Sequence, residues 1–179
     1  MHNWALISTI NYGIPIQKGS NSLTAFCDSD WAGSPEDRRS TTGLCVFYGK
    51  NIISWGAKKQ QTVARSSTEA GYRALASTSA EISWLCQLFK DLNVSLPACP
   101  TIWTDNLSAM ALAKNPVYHA RTKHIEVDYH YVRELVTRGL LQLKYIHTQD
   151  QVADIFTKPL SAPRFNTLQF KLSVTSPSA

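Results

Sequence analysis

Five acids stand where an element of secondary structure would begin or end: Asp28 and Asp30 in "FCDSDWAG", Glu69 in "SSTEAGY", Asp105 in "TIWTD" and Asp154 in "DQVAD". Acids are depleted from strand interiors and costly to bury, yet the apolar run "LTAFC" leads straight into Asp28 and Asp30. The others have ordinary structural uses. Glu69 lies three residues after Ser66, the spacing of an S-x-x-E capping box. Asp105 precedes Asn106 as a helix N-cap would, and Asp154 suits an exposed helical face. Convergence in space would give them a different use. Carboxylates gathered in one place repel one another unless divalent cations neutralise them, and magnesium prefers such hard oxygen donors. Two such ions about 4 Å apart activate water and stabilise a leaving oxygen in phosphodiester hydrolysis.

The elements that must position these acids are legible as changes of period. "LTAFCDSDW" reads as a strand, and "TGLCVFYG" and "IISW", joined by a "GKN" turn, complete an antiparallel meander. "SSTEAGYRALASTSAEISWLCQLFKDL" then places Leu75, Ile82, Leu85, Phe89 and Leu92 at helical spacing. "TIWTD" follows as a short buried strand and "NLSAMALAKN" as a helix stopped before Pro116. "TKHIEVDYHYVRELVTRG" is a further amphipathic helix with Gly139 past its end. "LLQLKYIHT" alternates as a strand, and "DQVADIFTK" reads as a helix. The order β-β-β-α-β-α-α-β-α predicts a mixed α/β sheet with helices on both faces. In such sheets function gathers at the C-terminal ends of the parallel strands. Residues 1–20 read as an irregular lead-in, 21–160 as one domain, and 161–179 as a tail, partly helical and then frayed.

The chain of 179 residues is 44% apolar and 17% charged, with a net charge of +5 that favours a polyanionic partner. It has no apolar run of transmembrane length and no secretory leader pattern. The expected setting is therefore intracellular, cytoplasmic or nuclear, with no membrane partner. The four cysteines form no CxxC pair, which predicts buried free thiols rather than disulfides or a zinc site. His119, His124 and His130 have no cysteine or glutamate at a ligand spacing, so they predict no zinc site either.

Six ordered blocks, "AFCDSDWAG", "RRSTTGLCVFYG", "ISWGAKKQQTVARSSTEAGYRALA", "WTDNLSAMALAKNP", "RTKHIEVDYHYVRE" and "IHTQDQVADIFTKPL", together resemble the ribonuclease H domain of copia-type retrotransposon polyproteins. The resemblance implies a ribonuclease H-like fold: a mixed five-stranded sheet, three strands in a meander and then βα units, flanked by helices. It implies endonucleolytic hydrolysis of the RNA strand of RNA–DNA hybrids with two magnesium ions, manganese substituting. By motif, the metal ligands are Asp28, Glu69, Asp105 and Asp154. Asp28 would bridge both ions, and Asp154 would hold the one that activates water. Glu69 and Asp105 would hold the one facing the leaving 3′ oxygen, with Glu69 near the RNA 2′-hydroxyl that distinguishes the strands. His147 occupies the place of a family histidine that shuttles protons or helps product leave; its plain alternative is a strand-end histidine bonded to a neighbour. Asp30, two residues from Asp28 and on the same side of a strand, is assigned to the rim.

Substrate contacts are expected from Lys58, Lys59 and Arg65, just before Glu69, and from Asn106 beside Asp105. Such contacts to phosphate would position a hybrid without reading its sequence; a solvated basic loop is the plain alternative. The cluster of Lys114, Arg121 and Lys123 is a weaker candidate. Two departures from the family stand out. Gly71 replaces an acid of the usual "EAEY", and the reverse transcriptase domain of the parent polyprotein, the expected partner, is absent here. The chain therefore reads as a fragment, with a catalytically silent remnant that folds and binds hybrid as the rival function. An integrase on the same fold would show the order Asp, Asp, Glu, which the early Glu69 and late Asp154 disfavour.

Overall fold

In the computed structural model, which describes residues 11–114 and 126–176, alternation along the first strand sets the layers. β1 (Leu23–Asp30) turns Leu23, Ala25 and Cys27 to one core and Phe26 to another on the opposite face. β2 (Thr41–Tyr48) and β3 (Asn51–Lys59) extend the sheet antiparallel on one side of β1. Gly49 makes the turn between them at φ +60°, where a side chain would be strained. β4 (Thr101–Thr104) lies parallel to β1 on its other side, and β5 (Gln142–Tyr145) parallel to β4. The order β3-β2-β1-β4-β5 is the mixed five-stranded sheet expected from the sequence.

One face is covered by three helices. Tyr72, Leu75, Ile82 and Leu85 of α1 (Ser67–Asp91) are buried there with Ala109, Met110 and Ala113 of α2 (Leu107–Lys114) and Val132 of α3 (Glu126–Thr137). α3 ends as predicted. Gly139, at φ +67°, donates to Val136 and Leu140 donates back to Leu135, the paired bonds of a Schellman cap. On the other face Cys45 and Ile52 meet Val152, Leu168 and Leu172, the last two from α4 (Ala162–Lys171) and its C-cap.

Two local expectations need correction. "DQVADIFTK" is not a regular α-helix but two 3₁₀ turns, Thr148–Asp150 and Val152–Phe156. Gln151 separates them. Its backbone is extended, its amide oxygen accepts from the Ala153 N–H, and its amide nitrogen donates to the Cys27 carbonyl at 3.0 Å. The segment is thereby pinned to β1 instead of propagating a helix. Second, β3 runs on to Lys59, so Lys58 and Lys59 lie on a strand and not in a loop. At the flanks, Gly13 and Thr175 exchange backbone hydrogen bonds at 2.8 and 3.1 Å, and α4 buries Leu168 in the second core.

Cys27 and Cys45 are buried free thiols; burial pushes Cys27 up to about 12 and Cys45 higher still. Cys86 and Cys99 are free but only partly buried. His119, His124, Arg121 and Lys123, with the first turn expected for α3, lie outside the described residues.

Candidate active site

Parallel pairing of β1 with β4 fixes the first two acids. The ladder runs to Phe26 opposite Trp103, so Asp28 and Asp105, each two residues further along, leave the sheet at the same end. Neighbouring strands stand about 4.8 Å apart. Asp28 is buried and Asp105 half-buried.

Glu69 comes to this end from the first turn of α1, and it too is buried. Ser66 caps the helix, its hydroxyl accepting from the Glu69 N–H at 3.1 Å. The reciprocal half of the capping box is missing. Glu69 accepts instead from the Arg65 N–H at 2.9 Å and pairs with Arg73, one turn on, at 2.6 Å. The turn is clamped to β4 by Asn106, whose amide nitrogen donates to the Ser67 carbonyl at 3.0 Å. The Asn106 oxygen accepts from the Ala109 N–H at 2.9 Å, so Asn106, and not Asp105, caps α2. Gly71 makes room for this clamp: a Cβ there would lie 2.2 Å from the Asn106 amide nitrogen.

Asp154 arrives on the second 3₁₀ turn, which rests on β2 where Gly43 faces Asp28 across the ladder. A Cβ at Gly43 would come within 2.5 Å of the Thr157 methyl and 3.0 Å of the Ala153 carbonyl. The close approach brings the Thr157 hydroxyl onto Asp28 as a donor. It also places Lys158 Nζ 3.1 Å from Asp28 and 2.7 Å from Asp154. Arg164 of α4 reaches Asp154 at 3.3 Å and donates to the Thr148 carbonyl, while the Thr148 hydroxyl donates to Asp105 at 2.9 Å. A continuous run of contacts, Asp28–Lys158–Asp154–Arg164–Thr148–Asp105, thus links three of the four acids, and Asn106 ties the helix turn of the fourth beside them.

The electrostatics follow from burial and this pairing. Burial pushes the Asp154 carboxyl above its ordinary value against the pull of Lys158 and Arg164. Burial works against the Lys158 ammonium too, but the hydrogen bond it donates to Asp154 and the charges of Asp28 and Asp154 outweigh it and hold the group above the usual lysine range.

Among the described residues no three His, Cys, Asp or Glu side chains close around a single point as a metal cage. The donors nevertheless suit a hard divalent ion. Asp28 and Asp154 are buried oxygen donors that already share one cation, because two buried carboxylates held close require positive charge between them. Glu69 and Asp105 stand at the same sheet end with their own partners.

The remaining sequence candidates divide. Asp30 faces the same side as Asp28 but is half-buried and accepts from the Thr41 N–H, and burial raises its carboxyl. His147 is exposed; its Nδ1 accepts from the Gln149 N–H at 3.3 Å, capping the first 3₁₀ turn one residue before Thr148. Lys59 pairs with Asp37 at 2.9 Å, while Lys58 and Arg65 are exposed. Beside Arg65, the Trp31 indole donates to the Ala64 carbonyl at 3.1 Å and leaves 55% of the residue exposed. Lys158, Arg164, Arg73 and Thr148 were not singled out from sequence. Lys158 and Arg73 each stand four residues after an acid, the spacing of a helical ion pair, and that was the available signal. Arg164 lies in the expected tail, where nothing marked it.

No family model matches the chain. It is 47% identical over 171 residues to the retrovirus-related Pol polyprotein from transposon RE1 of Arabidopsis thaliana, a match covering 95% of this chain and 12% of that protein. It is 38% identical over 143 residues to the corresponding polyprotein from transposon TNT 1-94 of Nicotiana tabacum, covering 80% and 11%. The chain is a relative of the copia-type Pol polyproteins. It spans about an eighth of the length of these relatives, as the 12% coverage shows. Solved structures place this Pol relative on the ribonuclease H-like fold. LC11-RNase H1, solved in complex with RNA/DNA hybrid, superposes with a TM-score of 0.56 at 12% identity, over 76% of this chain and 94% of that one. The N-terminal RNase H domain of a Mycobacterium tuberculosis protein does so with 0.55 at 11% identity, over 84% and 98%.

Proposed function

We propose that this chain hydrolyses the RNA strand of RNA–DNA hybrids, cutting internally, with two divalent cations, magnesium or in its place manganese. The observation that carries the proposal is the gathering of Asp28, Asp105, Glu69 and Asp154 at one end of the sheet from four separate elements. Bound there, the ions would supply a nucleophilic water and charge stabilisation at the scissile phosphate. In the reaction a water oxygen bonds to phosphorus, the bond from phosphorus to the 3′ oxygen breaks, and that oxygen takes up a proton.

The residues divide the work by position. Asp28, central in the sheet, would be shared by both ions, with Asp154 completing one site and Glu69 and Asp105 the other. Thr157 orients Asp28, and Thr148 orients Asp105. His147 stands exposed beside Thr148, its Nδ1 accepting from the Gln149 N–H, and would help the product leave. Exposed Lys58 and Arg65, with Lys59 paired to Asp37, would meet hybrid phosphates. Asn106 contributes by holding Glu69's turn. In a Pol-like polyprotein the reverse transcriptase domain would be the partner, working inside the cell.

A second reading, a silent hybrid-binding remnant, draws on the cations Lys158, Arg73 and Arg164 that already occupy the carboxylates. Purified chain incubated with labelled hybrid, with magnesium or with excess chelator, separates the two. Metal-dependent internal cuts in the RNA, lost in Glu69→Gln, support hydrolysis. Binding without cuts supports the remnant, and equal cutting in chelator would contradict the two-metal assignment.

A further inference from the structure

Among the described residues, Lys158 is the basic group that touches two of the four acids at once. Its ammonium is bonded to Asp28 at 3.1 Å and Asp154 at 2.7 Å, and about a third of its side chain is exposed. Both acids are almost fully buried, and they approach each other because Gly43 lets the 3₁₀ turn settle against β2. Arg164 touches only Asp154, and Thr157 brings Asp28 a hydroxyl without charge. Without Lys158 the pair would face each other with one flanking arginine as the only neutralising charge in contact.

We propose that Lys158 is a built-in counter-ion that holds Asp28 and Asp154 together while no metal is bound, and that an entering divalent cation displaces it. This rests on the metal-dependent reading above and adds a residue to it. Three observations lead there. The ammonium lies between the two carboxylates that metal binding requires, and an ion coordinated by oxygens at about 2.0–2.1 Å cannot share that space with it. The partially exposed stem gives the head a path to solvent without unfolding the turn. The contact joins a residue of the first strand to one far along the chain, so it also fastens the 3₁₀ turn to the sheet.

Lys158→Met keeps the stem and removes the charge, and it separates this proposal from simple structural support. In chelator the variant is expected to melt several degrees below wild type. Manganese(II) binding, followed by the electron paramagnetic resonance of the free ion at fixed ionic strength, is expected to tighten about tenfold, because the metal no longer competes with an internal cation. Manganese should therefore raise the melting temperature of the variant more than that of wild type. Unchanged or weaker manganese binding in a folded variant would overturn the proposal while leaving the metal-dependent reading intact. Absence of any manganese binding by wild type would sink both. If Lys158→Met does not fold in chelator, Asp154→Asn combined with Lys158→Met decides. Recovery of folding supports the counter-ion, since the repulsion has been removed; continued failure shows that the ammonium is needed for something other than neutralising the two carboxylates and overturns it.

Discussion

Gly43→Ala tests whether a bare position on β2 builds the site at a distance. The added methyl would meet the Thr157 methyl at 2.5 Å, the Ala153 carbonyl at 3.0 Å and the Phe156 Cβ at 3.0 Å. Two of these neighbours are backbone or backbone-proximal atoms, so the 3₁₀ turn must lift off the sheet as a unit. Overpacking of this kind costs roughly 1–3 kcal/mol, and losing the Thr157 bond to the Asp28 carboxylate adds about 1.5–3 kcal/mol. Replacing glycine by alanine in a strand returns roughly 0.5–1 kcal/mol. The net expectation is a loss of roughly 1.5–5.5 kcal/mol, a large share of a total stability of about 5–15 kcal/mol. Gly56→Ala on β3 is the control, because a Cβ there meets nothing within 4 Å. It should be neutral or slightly stabilising. Urea denaturation of both variants in chelator, followed by hybrid cleavage with magnesium, provides the comparison. Gly43→Ala should lose stability and cleavage together although no acid has been altered. Equal midpoints for the two variants would refute the close approach as the device that places Asp154 against Asp28.

Gly71→Ala should destabilise by about 1 kcal/mol: the gain of about 1 kcal/mol in helix propensity is outweighed by displacement of Asn106 from its two hydrogen bonds, each worth about 1 kcal/mol. In an Asn106→Ala background the same change should instead stabilise, and additive effects in a thermal double-mutant cycle would exclude the clamp. Asp30→Asn tests a carboxyl that burial has raised. A folded-state value above the unfolded one contributes stability below the ordinary carboxylate range, near 3.9, which is lost as pH rises through the folded value. The variant, which keeps an oxygen for the Thr41 N–H, should therefore gain on wild type as pH rises from the ordinary carboxylate range through the raised value of Asp30 and then stay level; a constant gap in urea midpoints would contradict this.

The convergence of the candidate acids was legible in large part because they sit at element boundaries that period and turn chemistry mark well. The alternation of "LTAFCDSD" and the helical spacing from Leu75 to Leu92 gave the layers, and the βα order gave parallel β4 beside β1. What escaped were features set by tertiary contact. The helical period of "DQVADIFTK" was overridden by one side chain, Gln151, whose amide is fixed to the carbonyl of Cys27. Arg164 could not be read because its partners, Asp154 and the Thr148 carbonyl, come from a turn that folds back against it. Gly71 reads as a helix defect in one dimension and as room for Asn106 in three. Asn106 itself, proposed from sequence as a hybrid contact, has both ends of its amide engaged within the fold.

Cleavage of an end-labelled RNA–DNA hybrid by Asp28→Asn and Asp30→Asn, side by side in magnesium, tests the central assignment most directly. Both acids lie on the same side of β1, but Asp28 meets Lys158 and Thr157 whereas Asp30 is bonded to Thr41. Asp28→Asn should abolish cutting while hybrid binding persists, and Asp30→Asn should retain a substantial fraction of it. Full activity in Asp28→Asn, or its loss in Asp30→Asn alone, would contradict the placement of the metal-dependent chemistry at the end of the first strand.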